Sequence, residues 1–399
     1  MRDVVIAGYL RVAQSRSRPR DPGRDWLHKV RADTMLGKYL VPELLKRAKI
    51  DPKEIDDLLV GSAMGVSEQW TYGGRNIVFL ANLPETVAAK FVDQQCGSAM
   101  AATHIGYMEI ATGNADIVVT GGIEHMTRVP MGGGGDAIKP NMDLLSAEEY
   151  KHWGMGIAMN MGFTAEKLTK MSGIDRLEQE KWAARSHQRA AQAQKDGFFK
   201  GEILPIEAEQ ADGTKLMVDT DQAVRGDTTV EGLAQLKPAY VETGVITAGT
   251  SSPLNAGATS MLLMSKETAK KKGITPLATI RAIGFAGVDP TVMGVGPVPA
   301  SRKALAQAGL QVKDIDYWEI NEAFSIVTLN CIKELGIDPE KVNVMGGGVA
   351  IGHPLGATGV RLLGTLARIL NLKGGQYGCA TACCGGGQGV ATIIEREKY

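Results

Sequence analysis

A repeated pattern relates two stretches of this 399-residue chain, one in each half. Both stretches have the residue spacing of a helix, a turn and a strand. The matching positions share one constant offset: Leu45, Ala48, Ile50, Lys53, Ile55 and Asp56 correspond to Leu305, Ala308, Leu310, Lys313, Ile315 and Asp316.

Two further pairs of stretches repeat in the same order. A predicted strand leads through Gln95-Cys96-Gly97 into a helix, and another leads through Gly352-His353 into a helix. The buried strand predicted at 115–120 likewise parallels the stretch at 377–383. Three matches in one order predict an internal duplication, in which two similar halves place equivalent turns at a shared centre.

Between the two halves, the residue composition and the order of predicted helices and strands change. From about residue 132 to 243, glycines, methionines and long polar helices replace the alternation of strands and helices. We therefore predict three parts: a first half of the core at 1–122, an inserted loop domain at 123–250 with a return to the first half by about 265, and a second half at 266–399. Within the first half, we expect the strand at 115–120 to stop at Gly121-Gly122.

Composition limits the class of function. Lys and Arg together number 44, as do Asp and Glu, and a net charge of zero argues against a general binder of nucleic acid or membrane surfaces. No apolar run reaches the ~18–20 residues of a membrane span, and the N-terminus has the pattern of a strand rather than a signal peptide. The five cysteines are odd in number and clustered late, which favours free thiols and a cytoplasmic location.

An Arg- and Pro-rich stretch at 14–24 has the composition of a solvated surface loop. Binding of a phosphate or of a partner protein is the alternative interpretation of its arginines.

Glycines surround a single histidine near the C-terminus. His353 lies between the cluster Gly346–Gly348 with Gly352 on one side and Gly356 on the other. Glycine allows backbone N–H groups to approach a ligand closely. We therefore interpret His353 as a functional residue rather than a packing residue.

Cys96 is the candidate nucleophile that would meet this histidine. It follows a predicted strand and opens a helix, and a helix N-terminus or a nearby imidazolium lowers a thiol pKa from its usual ~8.5. A thiolate is a strong nucleophile at neutral pH. Position alone leaves two interpretations open, a nucleophile or a small buried hydrophobe.

Three more cysteines lie near the C-terminus, at 379, 383 and 384. Their spacing is not the C-x₂-C pairing typical of zinc, so we predict no metal site. Cys383 opens a glycine turn and is predicted to act as acid and base, whereas Cys384 could reach the same space or point into the core. Asn321, directly after a strand, could hold a water or a carbonyl oxygen, or could cap the next helix.

Together these motifs resemble the thiolase family over nearly the whole chain. The nucleophile motif of that family corresponds to Gln95-Cys96-Gly-Ser-Ala-Met, and its Asn-Glu-Ala-Phe motif to 321–324. Its two glycine-rich motifs correspond to 347–356 and 383–389. The resemblance implies an α/β thiolase fold, with two duplicated βαβαβαββ halves stacked as a five-layer αβαβα core and an inserted loop domain. It also implies a homodimer or homotetramer, and it raises the prospect of association with a β-oxidation multifunctional subunit.

The resemblance further implies a ping-pong reaction between a 3-oxoacyl-CoA and CoA, which is a substrate, with no permanently bound cofactor. His353 would take the proton of Cys96, which would carry the acyl group. Cys383 would protonate the departing acetyl-CoA carbanion and later deprotonate incoming CoA. One oxyanion hole would come from His353 and a water held by Asn321, and the other from the backbone N–H groups of Cys96 and Gly385.

Contacts to CoA follow from the same resemblance. Arg225 would lie along the adenine end and Ser252 would meet the pantetheine. Four residues would line the acyl pocket: Met161, Met293, Ala323 and Phe324.

Within the family, details such as Glu124-His-Met resemble bacterial fatty-acid β-oxidation members. Asn160 stands where acetoacetyl-CoA-forming relatives often have His, so a biosynthetic acetyl-CoA acetyltransferase stays the main alternative. A ketoacyl synthase is more remote, because it would use two His residues and would lack Cys383.

Overall fold

The computed structural model describes residues 1–132 and 140–397. Its strands are β1 (Val4–Arg11), β2 (Ser15–Arg16), β3 (Asp57–Gly61), β4 (Ala88–Val92), β5 (Ile117–His125), β6 (Ile206–Glu209), β7 (Lys215–Val218), β8 (Asn255–Ser265), β9 (Ala278–Gly287), β10 (Tyr317–Ile320), β11 (Tyr377–Cys384) and β12 (Gln388–Glu395). Its α-helices are α1 (Ala32–Thr34), α2 (Val41–Ala48), α3 (Arg75–Leu80), α4 (Ser98–Thr112), α5 (Met142–Leu145), α6 (Met155–Ala158), α7 (Met161–Ser172), α8 (Arg176–Lys195), α9 (Val230–Ala234), α10 (Lys266–Lys271), α11 (Pro297–Ala308), α12 (Ser325–Leu335) and α13 (Thr358–Lys373). A π-helical segment, Met35–Leu40, joins α1 to α2.

The main sheet has matching strand orders on the two sides of its centre, except that β4 at one edge has no counterpart among the described strands of the second half. The order is β4-β3-β5-β8-β1-β9-β12-β11-β10, with β2 paired to β8. At the centre, β1 and β9 pair over only three residues on each strand. On either side, the first strand of each half lies beside its last strand, so the four strands of the second half repeat the arrangement of four strands of the first. The predicted duplication is therefore confirmed.

Two helices lie between the halves. α4 and α13 contact each other, and Met100 and Leu363 from them share an apolar cluster with Val118 of β5 and Ala382 of β11. α2 covers the outer face of the first half, and α11 and α12 cover that of the second. The layers therefore follow the predicted αβαβα order, with the two halves of the sheet also joined along one short edge.

The duplication extends to individual hydrogen bonds. The Asp56 carboxylate accepts hydrogen bonds from two consecutive backbone N–H groups at the start of β5, at 2.7 and 3.0 Å. Its counterpart Asp316 accepts from two consecutive N–H groups at the start of β11, at 2.6 and 3.1 Å. In each half, the equivalent aspartate therefore connects the turn before one strand, β3 or β10, to the neighbouring strand, β5 or β11.

The segment between β5 and β8 lies outside the main sheet, although these two strands are antiparallel neighbours. It carries α5–α9 and the two-stranded sheet of β6 and β7. The buried carboxylate of Glu322 fastens α8 to the second half, because it accepts from Trp182 Nε1 at 2.9 Å and Ser186 Oγ at 2.7 Å. It also accepts from the Val349 N–H at 3.1 Å, which holds the glycine-rich segment in place.

The prediction that β5 stops at Gly121-Gly122 is wrong, because the strand continues to His125. A Cβ at Gly121 would lie 2.4 Å from the Thr259 carbonyl oxygen, and one at Gly122 would lie 2.0 Å from that of Gly356. These glycines therefore allow close backbone contact inside the strand rather than ending it.

The strand predicted before Gly352 is also wrong. Val342 makes only an isolated bridge with Trp318, and the chain from there to α13 runs as turns and one short 3₁₀ helix. Gly346 and Gly352 have φ values of 81° and 123°, which L-residues with side chains rarely adopt. The glycines thus shape a winding turn that brings His353 to the centre of the fold.

Within residues 1–132 and 140–397, we find no helix of the length and apolarity that crossing a membrane requires.

Candidate active site

Cys96 lies in a single 3₁₀ turn between β4 and α4. The preceding residue, Gln95, has φ 51°, a left-handed conformation that is uncommon for a residue with a side chain. Asp93 Oδ1 accepts from the Gln95 N–H at 2.8 Å, and Ser98 Oγ accepts from the Gln94 N–H at 2.9 Å. These bonds hold a strained turn directly before the candidate nucleophile, as is common at functional sites.

The two ring nitrogens of His353 have different partners, Thr358 at Nδ1 and Asn321 at Nε2. Thr358 Oγ1 lies 2.6 Å from His353 Nδ1 and donates its hydrogen to the Pro354 carbonyl at 2.9 Å. Because a hydroxyl has one hydrogen, it must accept from His353, which places the ring proton on Nδ1. Nε2 is therefore the unprotonated nitrogen, which can accept a hydrogen bond.

The backbone of this histidine is also anchored. The His353 N–H donates to Asn255 Oδ1 at 2.9 Å. Asn255 lies at the start of β8, so the turn from the second half is attached to the sheet of the first half.

Asn321 is hydrogen-bonded to the other ring nitrogen of His353. Its Nδ2 lies 3.2 Å from His353 Nε2, and its backbone N–H donates to the Thr381 carbonyl at 2.9 Å. Asn321 Oδ1 is buried and accepts no hydrogen bond from any described residue. Since α12 begins at Ser325 with Phe324 as its N-cap, the alternative that Asn321 caps this helix is wrong.

The two adjacent cysteines at the end of β11 face opposite ways, because side chains alternate along a strand. Cys383 packs with Met293 and Phe324 on the side of the loop domain. Cys384 packs among the central helices, and a Cβ at Gly97 would lie 2.6 Å from its sulfur. Cys384 therefore points into the core beside the nucleophile turn.

Burial controls the ionisation of the site. Burial raises the pKa of the Cys96 thiol to about 12, and the nearby Glu124 carboxylate adds to this, whereas the backbone N–H groups of Gly385 and Cys96 oppose it. Burial, with a smaller contribution from Arg361, lowers the pKa of His353 to about 3. Burial also raises the Cys383 pKa well above its ordinary value. The resting site near pH 7 therefore holds neutral thiols and a neutral imidazole.

Cys96 and His353 open into one small inner pocket of about 100 Å³. Phe324 and Tyr240, whose rings meet edge to face with centroids 5.9 Å apart, form part of its wall. The other lining residues are mostly apolar: Met126, Met131, Met161, Ser252, Pro253, Leu254, Met293, Ala323 and Leu355. The residues predicted for the acyl pocket thus lie around the two reactive groups.

An outer cavity of about 410 Å³ shares Tyr240, Ser252, Pro253 and Leu254 with the inner pocket. Arg225, which was predicted to contact the adenine end of CoA, lines this outer cavity. The Ser252 N–H donates to the Ala323 carbonyl at 3.0 Å, which joins the walls of the two spaces.

Glu124 is a site residue for which sequence reasoning assigned no role. Its fully buried carboxylate accepts from the backbone N–H groups of Ala63 and Gly356, each at 2.9 Å, and from Gln69 Nε2. It thereby holds the His353 turn against the ends of β3 and β5. In the sequence it appeared only in the Glu124-His-Met motif, which gave it no structural role.

Asn255, Thr358 and Tyr240 were also missed. Their roles depend on contacts between segments or on the exact course of a turn, which spacing does not show. The described residues contain no group of three or more His, Cys, Asp or Glu side chains arranged to hold a metal ion. All five cysteines are free.

Family models match both halves of the chain. That of the thiolase N-terminal domain covers residues 16–267, and that of the thiolase C-terminal domain covers 274–396. The chain belongs to the thiolase family. A 3-ketoacyl-CoA thiolase of Marinobacter nauticus is 44% identical over 400 residues, covering 99% of this chain and 98% of the relative. One of Vibrio vulnificus is also 44% identical, covering 99% of this chain and 100% of the relative.

A comparison with a solved structure shows that this thiolase also has the fold of a known relative. The crystal structure of the Bacillus anthracis acetyl-CoA acetyltransferase superposes with a TM-score of 0.87 at 35% sequence identity. The superposition covers 100% of this chain and 99% of that chain. The predicted thiolase fold is therefore confirmed over the full length.

Because Cys96 and His353 are both neutral near pH 7, we expect no thiolate absorbance from Cys96 in the resting enzyme. A raised thiol pKa places ionisation above the neutral range, so the ultraviolet difference between wild type and Cys96→Ala should stay flat between about pH 6 and pH 8 and rise only in strong alkali. Cys331→Ala, in α12, is the matched control. A thiolate band at pH 7 that disappears in Cys96→Ala would contradict the neutral pair.

Proposed function

We propose that this thiolase cleaves 3-oxoacyl-CoA with CoA to give acetyl-CoA and a chain-shortened acyl-CoA, as a degradative enzyme. The observation that carries the proposal is the inner pocket, which Cys96 and His353 both line, with the Cys383 thiol close enough to Cys96 for their charges to interact. The names of the relatives from Marinobacter and Vibrio support the same reaction.

In the first half-reaction, His353 Nε2 takes the proton of Cys96 as the sulfur attacks the 3-oxo carbon. The bond between Cα and Cβ then breaks, which leaves the acyl group on Cys96. The departing acetyl-CoA carbanion takes the proton of Cys383. This half-reaction ends with an imidazolium and a Cys383 thiolate.

In the second half-reaction, the Cys383 thiolate takes the proton of the incoming CoA thiol. The CoA sulfur attacks the acyl thioester, and the Cys96 sulfur leaves and regains its proton from His353. Both cysteines and the histidine then return to their neutral resting forms, so the proton balance closes over the cycle.

Two sets of donors are proposed to stabilise the charged oxygens. The N–H groups of Cys96 and Gly385 already lie close enough to the Cys96 sulfur to lower its pKa, which supports their role as one set. Asn321 Oδ1 is buried and has no hydrogen-bond partner among the described residues, which supports its role in holding a water beside His353 as the other. Loss of one such donor typically raises a barrier by about 3 kcal/mol.

The second candidate is a biosynthetic acetyl-CoA acetyltransferase, the activity in the name of the Bacillus anthracis structure. Asn160 bears on this choice. Its side chain accepts from the N–H groups of Gly162 and Phe163 at 3.1 and 3.3 Å, so it caps α7 rather than lining the inner pocket. The pocket wall is instead supplied by flexible methionines, a residue type that adapts to different acyl chains.

The test of function is CoA-dependent thiolysis of a 3-oxoacyl-CoA series from acetoacetyl-CoA to long chains. For a degradative enzyme we expect kcat/KM to rise at least tenfold from acetoacetyl-CoA to medium chains, since each buried CH₂ contributes about 0.8 kcal/mol. The measurement is the loss of the Mg²⁺–enolate absorbance of the substrate. Activity confined to acetoacetyl-CoA would instead establish the biosynthetic type.

Two variants should distinguish the proposed roles of Cys96 and Cys383. We expect Cys96→Ala to abolish acyl-enzyme formation, because no nucleophile remains. Cys383→Ala should still accept an acyl group from an acyl-CoA but should lose at least a thousandfold in thiolysis, within the range of missing acid–base catalysis. Intact-mass spectrometry reports the acyl group, and Cys384→Ala is the control. Near-full thiolysis by Cys383→Ala would assign the proton transfers elsewhere.

We also propose that the chain forms homo-oligomers. β4 ends the described sheet, and Trp70, Tyr72 and Phe79 nearby are 61%, 63% and 58% exposed around one groove. Large exposed apolar patches mark protein interfaces. Light scattering during gel filtration should give at least twice the chain mass, and Phe79→Glu should shift it toward the monomer. A monomer at micromolar wild-type concentration would contradict the proposal.

A further inference from the structure

Three arginines line the outer cavity. Arg16 and Arg18 come from the Arg- and Pro-rich stretch, and Arg225 comes from the loop domain. Arg16 and Arg18 are half-buried, whereas Arg20 and Arg24 in the same stretch are exposed. The interpretation of the whole stretch as a solvated loop is therefore wrong for its first part.

The backbone of Arg16 and Arg18 is held in place. Arg16 pairs with Asn255 where β2 meets β8, and the Ser17 N–H donates to the Leu254 carbonyl at 2.9 Å. The Arg18 N–H donates to Thr127 Oγ1 at 2.8 Å. The two arginines are two residues apart in extended chain, so they lie on one side of it.

The same stretch is tied directly to the segment that carries Arg225. Gln222 Oε1 accepts from the Arg16 N–H at 2.8 Å, and the Gln222 N–H donates to the Gln14 carbonyl at 2.9 Å. The backbone of the two segments that carry the three arginines is thus held together, and all three side chains line one space.

None of these three guanidinium groups pairs with a carboxylate of the described residues within 4.0 Å, whereas Arg11, close in sequence, is paired with both Glu202 and Asp221. The chain has equal numbers of acidic and basic residues. The excess of positive charge is therefore a local property of the outer cavity.

Two groups at the cavity respond to this charge. Burial and the neighbouring Arg225, Arg18 and Arg24 lower the pKa of Arg16 to about 10. Burial, Arg225 and Arg16 lower the pKa of His187 to about 4, against a smaller opposing effect of Asp227, so that imidazole is neutral near pH 7. Unrelieved repulsion among fixed cations is what a bound anion would remove.

We propose that Arg16 and Arg18, together with Arg225, bind the phosphate groups of the CoA nucleotide and determine the preference of this site for CoA over unphosphorylated thiols. The proposal rests on the proposed function, because CoA is the ligand whose thiol must reach Cys96 and Cys383. The outer cavity shares four lining residues with the inner pocket, so a CoA whose thiol is in the inner pocket would have its charged end on the side where the arginines lie. Guanidinium groups suit phosphate because they donate several N–H groups in a fixed plane.

The experiment measures the Kd of CoA, dephospho-CoA and pantetheine by calorimetry, which does not depend on turnover. The test variant is Arg16→Gln with Arg18→Gln, and Arg20→Gln is the matched control on the exposed part of the stretch. We expect the double variant to weaken CoA about ten- to hundredfold, as for loss of a hydrogen bond to a charged group, and to leave pantetheine unchanged. The control should match wild type.

Dephospho-CoA identifies which phosphate is bound. If the arginines bind the 3′-phosphate, wild type should already bind dephospho-CoA more weakly than CoA, and the double variant should bind both alike. If they bind the diphosphate, both nucleotides should weaken together in the double variant. Either result supports the proposal.

An unchanged Kd for CoA in the double variant would overturn the proposal, as would equal weakening of pantetheine. The wild-type enzyme provides a second measurement without substitution, because added salt should weaken CoA much more than pantetheine. Wild type that binds CoA in this way but does not cleave any 3-oxoacyl-CoA would count against the proposed function and not against the phosphate site.

Discussion

The active site depends on one close contact between the two halves of the duplicated core. In the middle of β5, Gly122 has no side chain, and a Cβ there would lie 2.0 Å from the carbonyl oxygen of Gly356 in the turn that carries His353. Two residues further on, the buried Glu124 carboxylate accepts from the Gly356 N–H at 2.9 Å. The glycine allows the contact and the carboxylate holds it, so His353 has a fixed position against the first half.

The duplication explains why the reactive groups meet. Each half supplies one turn at the centre, and the turns have diverged: the first carries Cys96 and the second carries His353. Neither half alone contains both groups. The other thiol, Cys383, comes from the end of β11, where alternation along the strand turns it toward the loop domain and turns Cys384 toward the central helices.

Burial has opposite consequences in the two connected spaces. Around Cys96 and His353 it favours neutral groups, and in the proposed mechanism negative charge arises there only during reaction, where the N–H groups of Cys96 and Gly385 would stabilise it. In the outer cavity the arginines keep their charge without carboxylate partners among the described residues. A neutral reaction pocket beside a cationic cavity suits a substrate with an uncharged reactive end and an anionic remote end.

Much of this could be predicted from the sequence. The constant offset between residues such as Asp56 and Asp316 predicted the duplication, because equivalent local structures need the same side chains at the same spacing. The motifs around Cys96, His353 and Cys383 singled out the reactive groups, because such chemistry needs those residue types beside glycines. These features involve residues close together in the chain, so the spacing of residue types was enough to predict them.

The tertiary structure alone decided the rest. Gly121 and Gly122 have the composition of a strand end, yet they lie inside β5 because another backbone comes within contact distance there. Thr358 sets the His353 tautomer, and Arg16 and Arg18 line a cavity with Arg225, which is some two hundred residues away in the chain. Each of these roles is a distance between atoms remote in sequence, and only the packing of the folded chain determines such distances.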